Sequence, residues 1–218
     1  MTPLTTLADW MSAQQRLDAP HTILDGYSRA VEILTSEHLV VRSRGTLNFF
    51  HESFFDYVFA RAFSARQQSL LDLLASTEQH LFRRTQVRQI LEHMRQSDYA
   101  RYVRELAQII ASGDVRLHIK IAVAQWLAAL ASPTEQERDL ILALDVSSQP
   151  FPLMVRMAIQ GSAGWFDVLN QDGWLAAQLH STVETRKHAI LWWLANIAGG
   201  RPLPVSQLLD TWWNGDPD

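Results

Sequence analysis

The sequence predicts a mainly α protein in which a small helical domain with one β-hairpin precedes an array of helical repeats. Three observations carry this. Apolar residues recur at helical spacing through most of the 218 residues. A single pair of β-patterned runs, "HLVV" and "TLNFF", flanks the turn "RSRG" at 42–45. Beyond residue 66 no strand pattern recurs, and Gly, Pro, Ser or Asp clusters divide the chain into helix-sized pieces.

The first helix is expected over 4–15, with Leu4, Leu7, Ala8 and Met11 on one face, and "DAPH" at 18–21 ends it. A second is expected over 22–36, burying Ile23, Leu24, Tyr27, Val31 and Leu34. In the hairpin, Gly45 supplies the positive φ that a tight turn demands. An aromatic helix then runs from Glu52 to Ala65. Helix, helix, two-stranded wing and helix is the order of a winged-helix-like domain, placed at 1–66. The repeat region, 67–218, reads as helices over 67–76, 85–96, 98–112, 115–130, 134–146, 153–168, 174–181, 183–198 and 204–213.

Within it "VRLHIKIAVAQWLAAL" (115–130) and "TRKHAILWWLANIAGG" (185–200) both place a basic residue and His ahead of an apolar Trp-bearing helix. First helices opening near 85, 115, 153 and 183 suit solenoid repeats of the HEAT or TPR kind; an irregular helical bundle is the competing arrangement.

Composition narrows function. With 47% hydrophobic and 10% aromatic residues the chain can bury a substantial core. A net charge of -4 argues against nucleic-acid or anionic-membrane binding. The charge is uneven: residues 1–60 carry 4 basic and 7 acidic groups, 61–120 carry 10 and 6, and the remainder 5 and 10. The absence of cysteine removes disulfides, thiolate catalysis and thiolate zinc sites. Without a basic n-region and apolar h-region at the N-terminus, or a spanning segment, a cytoplasmic location is expected.

No catalytic constellation is legible. "HES" at 51–53 lacks the second zincin histidine, because Phe55 stands four residues after His51. The remaining histidines are scattered singly, so no metal site is expected. Neither Gly-x-x-x-x-Gly-Lys-Ser/Thr nor Gly-x-Gly-x-x-Gly occurs, and "GSAGW" (161–165) is a helix interruption without a lysine. The chain is therefore read as non-enzymatic. As a DNA-reading helix, 22–36 would set Asp25 and Glu32 against Arg29 alone, which repels phosphates. Two features suit a protein partner. Arg84, Arg88 and Arg95 share a helical face, with Arg101 and Arg104 on the next helix, though a solvated outer face with local Glu92 and Glu105 pairing is the favoured reading of them. Trp126, Trp165 and Trp174 read as repeat core. Of the pairs Trp192-Trp193 and Trp212-Trp213 one member each must face outward, since neighbours on a helix lie about 100° apart; Trp192 and Trp212 are taken as the partner-facing members.

"LNFFHESFFDYVFARAF" (47–63) resembles the segment that closes the winged-helix domain of NACHT-type STAND NTPases, the family that includes NOD-like receptors and many bacterial defence ATPases. Phe49, His51, Ser53, Phe54, Asp56 and Tyr57 match that family's Phe-x-His-x-Ser-Phe-x-acid-aromatic pattern in register, and Ala60 takes the alanine position. The upstream "VEILTSEHLVVRSRGTL" is similar to the helix and wing that precede it. The resemblance implies that His51 contacts the β-phosphate of ADP. A histidine at a helix start suits an anion, with Ser53 expected to cap that helix; the competing reading is that His51 only caps or packs. The resemblance further implies a regulatory or sensor role, relaying nucleotide state while the repeats bind a ligand or partner, with antiviral defence as the biological setting. The P-loop and Walker B elements of that family are absent from this sequence, so no cofactor is expected on this chain alone. ADP or ATP, and the ATPase core as partner, enter only within a complete STAND protein, which could oligomerise. The alternative is a free-standing helical-repeat scaffold that binds a protein and has no nucleotide role.

Overall fold

A computed structural model describes residues 2–144 and 150–215, without the side chains of Pro150 and Pro152. The end of the helix expected over 134–146 and the start of the "QPFP" break fall on 145–149, outside the described residues. The chain forms two compact units, 1–122 and 123–218, whereas the sequence pattern changes at 66.

In the first unit α1 (Pro3–Gln14) opens with a capping box between Thr2 and Thr5 and ends at Gln15 in the left-handed region. The helix expected over 22–36 is instead a 3-10 helix, His21–Tyr27, followed by α2, Ser28–Ser36. Leu24 leaves helical geometry at φ -114° and ψ 20°. Strands β2 (Val40–Ser43) and β3 (Thr46–Phe49) form the expected hairpin, with Ser43 opposite Thr46 and Val40 opposite Phe49. Arg44 and Gly45 both have positive φ, 46° and 87°, as a two-residue turn of the I′ kind requires. A third strand that the sequence pattern did not reveal, β1 (Ala19–Pro20), pairs antiparallel with β3, giving the order β1-β3-β2. Proline is tolerated there because β1 is an edge strand.

Helix α3 (Glu52–Ala65) leaves this sheet directly and packs against α1 and against α5, Phe82–Ser97. The core lies along that seam: Leu7 and Met11, Leu47, Phe55, Phe59 and Phe63, and Val87, Ile90, Leu91 and Met94. Helices α4 (Leu70–Ala75) and α6 (Tyr99–Ala111) complete the packing.

Helix α7 (Leu117–Ala128) carries the chain into the second unit, which holds α8 (Glu135–Leu142), α9 (Pro150–Ile159), α10 (Ala163–Gln171), α11 (Trp174–Leu179), α12 (Glu184–Ile197) and α13 (Pro202–Asn214). The helix expected over 153–168 is two helices, broken at Gly161 with φ 97°. Helices α5, α7, α9 and α12 open at residues 82, 117, 150 and 184, close to the predicted repeat interval. Trp165 and Trp193 are buried as core, while Trp126 and Trp174 are half-buried. No helix among the described residues is long and apolar enough to cross a membrane.

Candidate functional site

The segment 49–57 folds as one structure at the junction of sheet and helix. Phe49 ends β3 and is nearly buried, its ring edge-on to Phe54 at 5.7 Å and 5.8 Å from Phe55. These contacts fix where the strand turns into α3. His51 sits at that turn with extended backbone and is itself the N-cap: Nδ1 accepts the backbone N–H of Ser53 at 3.1 Å and its hydroxyl proton at 2.8 Å. The expected capping role of Ser53 is thereby corrected. Its hydroxyl supports the capping histidine rather than the helix end, because the extended residue preceding α3 is 51 and only its side chain can reach back over the first turn. Since Nδ1 accepts twice, the ring proton belongs on Nε2, leaving that nitrogen as the imidazole's remaining donor.

His51 is exposed, and beside it lies a cleft of about 370 Å³ lined also by Leu17, Asn48, Phe50 and Phe55. Glu52, in the first turn of α3, lines it too and opposes an anion there. The imidazole Nε2–H can touch a phosphate, but the first amides of α3 are already engaged, that of Ser53 on His51 Nδ1 and those of Phe54 and Phe55 on the His51 carbonyl. One donor is too few to hold a diphosphate without further cations.

Asp56 departs from the surface acid expected of its residue type. It is 2% exposed, its Oδ2 has no hydrogen-bond partner, and its pKa is raised to about 7. Burial is the main cause, Glu52 one turn earlier adds to it, and Arg88 on α5 works against it. Tyr57 stacks on Phe54 and meets His93 edge-on, with rings 6.4 and 6.3 Å apart. Phe54 and Tyr57 also wall a larger apolar groove of about 570 Å³ with Leu4, Ile33, Leu34 and Arg61.

Within the first unit none of the arginine candidates lines the cleft at His51. On α5, Arg88 is exposed but Arg84 and Arg95 are half-buried. Arg101, expected on the same basic surface, is buried: it donates to the carbonyls of Ser64 at 2.7 Å and Gln68 at 2.5 Å and lies 3.7 Å from buried Glu105. Arg83, unremarked in the sequence, is wholly buried and donates to Ser12 Oγ and Gln86 Oε1. Trp192 is exposed and Trp193 buried; in the last pair Trp213 is the exposed member and Trp212 is half-buried. Among the described residues no three His, Asp or Glu side chains cluster as a metal site would need.

No protein-family model matches the chain, and comparison with curated proteins and with solved structures finds no significant similarity.

Proposed function

We propose that the chain is the regulatory and sensing portion of a STAND-type NTPase, with His51 as an auxiliary contact to the phosphate of a bound nucleotide. The observation that carries this reading is the double engagement of His51 Nδ1 by Ser53, which turns the imidazole into an exposed N–H donor at a helix start. The winged-helix order of α1, α2, the hairpin and α3 supports it. On this reading the chain performs no chemistry, works in the cytoplasm and acts on ADP or ATP held by an ATPase core outside this sequence. Its helical repeats take a ligand or partner, with antiviral defence as the setting. Glu52 gives a reason for modest phosphate affinity, which suits a contact that must release when the switch opens.

The test uses the full-length protein expressed from its complete coding region, with retained nucleotide quantified after denaturation. His51→Ala is expected to lower ADP retention several-fold, and His51→Asn, which keeps an N-cap, to lower it equally while costing less stability. Retention unchanged in both variants, or a coding region without a P-loop, sinks the proposal.

A second reading, a helical scaffold that binds a protein partner, is supported by two exposed indoles, Trp192 at 62% and Trp213 at 80%.

A further inference from the structure

The second unit holds a cavity whose chemistry the reading above does not use. It measures about 410 Å³, within the range of roughly 300–1,000 Å³ usual for small-molecule sites. Arg156 of α9 and Arg186 of α12 both line it, with Trp174 from the start of α11, Gln160, Gln178 and Thr185. Among the described residues no acidic side chain does.

Neither cation meets a carboxylate among the described residues. Arg156 is half-buried and uses Nη2 to donate to the carbonyl oxygens of Leu142 at 2.9 Å and Leu144 at 3.0 Å, while its Nε is buried without a partner. Burial, and then the charge of Arg186, push its guanidinium below the ordinary value. Arg186 is exposed and forms no ion pair among the described residues. Two like charges therefore share a cavity that, among the described residues, offers them no carboxylate, an arrangement that a dianion would relieve. Trp174, also half-buried, has no ring partner among the described residues. A long polyanion is a poor fit, because residues 121–218 carry 5 basic against 10 acidic groups.

We propose that this cavity binds a phosphorylated small molecule of mononucleotide size, with the phosphate on Arg156 and Arg186 and a flat ring against Trp174. Gln160, Gln178 and Thr185 supply donors and acceptors to the polar part between them. The proposal is independent of the role given to His51.

Calorimetric titration of the 218-residue chain with AMP, inorganic phosphate and adenosine at low ionic strength tests it. AMP is expected to saturate one site. Arg186→Glu weakens AMP and phosphate by roughly tenfold or more, the loss of a charge-assisted contact. Trp174→Ala weakens AMP but not phosphate, and His51→Ala changes neither. Arg186 is exposed, so its variant should keep the fold; unchanged thermal unfolding verifies this, with Arg186→Gln as the milder substitute. No heat from AMP or phosphate at millimolar concentration overturns the proposal. So does AMP binding that survives both arginine variants, or that is lost only in His51→Ala. Equal effects of Trp174→Ala on AMP and phosphate overturn the assignment of the ring.

Discussion

At the scale of single residues, Asp56 has the most to say about stability. An acid whose folded pKa stands near 7, against roughly 3.9 in an unfolded chain, binds more protons folded than unfolded between those values. Stability from this group is therefore greatest at acid pH and declines as pH rises through that window, reaching its full penalty above pH 7. Asp56→Asn keeps the shape and removes the charge. We expect it to stabilise the protein at pH 8 by about 1–3 kcal/mol, with the gain shrinking toward pH 4, as read by urea unfolding of both proteins at each pH. An equal difference at both pH values would show that the carboxyl does not titrate with folding. The sequence reading placed Asp56 in the motif and could not see this, because burial is set by α5 closing over α3 from 26 or more residues away. Arg83 and Arg101 were illegible for the same reason. A guanidinium on a helix looks solvated until the carbonyls or hydroxyls that receive it are known, here Ser64, Gln68 and Ser12.

At the scale of elements, the hairpin and α3 were legible because their signals are local: alternation, a glycine with positive φ, and an aromatic run after a cap. The elements that escaped obey distant or weak constraints. Strand β1 is two residues long and exists only because β3 lies beside it. The 3-10 segment before α2 carries apolar residues at spacings an α-helix would also show. The break between α9 and α10 is marked by "GSAGW", yet the apolar pattern runs on through Gly161 and suggests one helix over 153–168. Gly164 shows what that break achieves. A Cβ there would stand 2.5 Å from the carbonyl oxygen of Ala131 and 2.6 Å from that of Leu130, so the start of α10 lies directly on the 130–131 backbone. The same approach lets Trp165 donate its indole N–H to the Leu127 carbonyl at 2.7 Å. Gly164→Ala must push two backbone segments apart, and we expect a loss of about 1–3 kcal/mol, measured as a lowered thermal midpoint. Gly113→Ala, with open space around its Cβ, is the control and should change little. A Gly164→Ala variant as stable as the parent would mean that the close approach does not persist in solution.

At the scale of the whole molecule, the helical architecture follows from composition and periodicity, and the division at 122/123 does not. Charge and pattern both change nearer residue 66, just after α3 ends. Yet α3 and α5 bury their aromatic and aliphatic faces on each other, which draws residues well beyond 66 into the first unit. That division carries an optical consequence. All four tyrosines, at 27, 57, 99 and 102, fall in the first unit, while seven of the eight tryptophans fall in the second, leaving Trp10 alone on the other side. The red shift of tryptophan emission on unfolding is accordingly a reporter of residues 123–218, where Trp165 and Trp193 are buried. A Trp10→Phe protein should keep almost the whole red shift on unfolding in urea, and the tyrosine component of the second-derivative absorbance spectrum should then follow the first unit in the same cuvette. Two colours of one titration thus measure the two halves of the chain without cutting it.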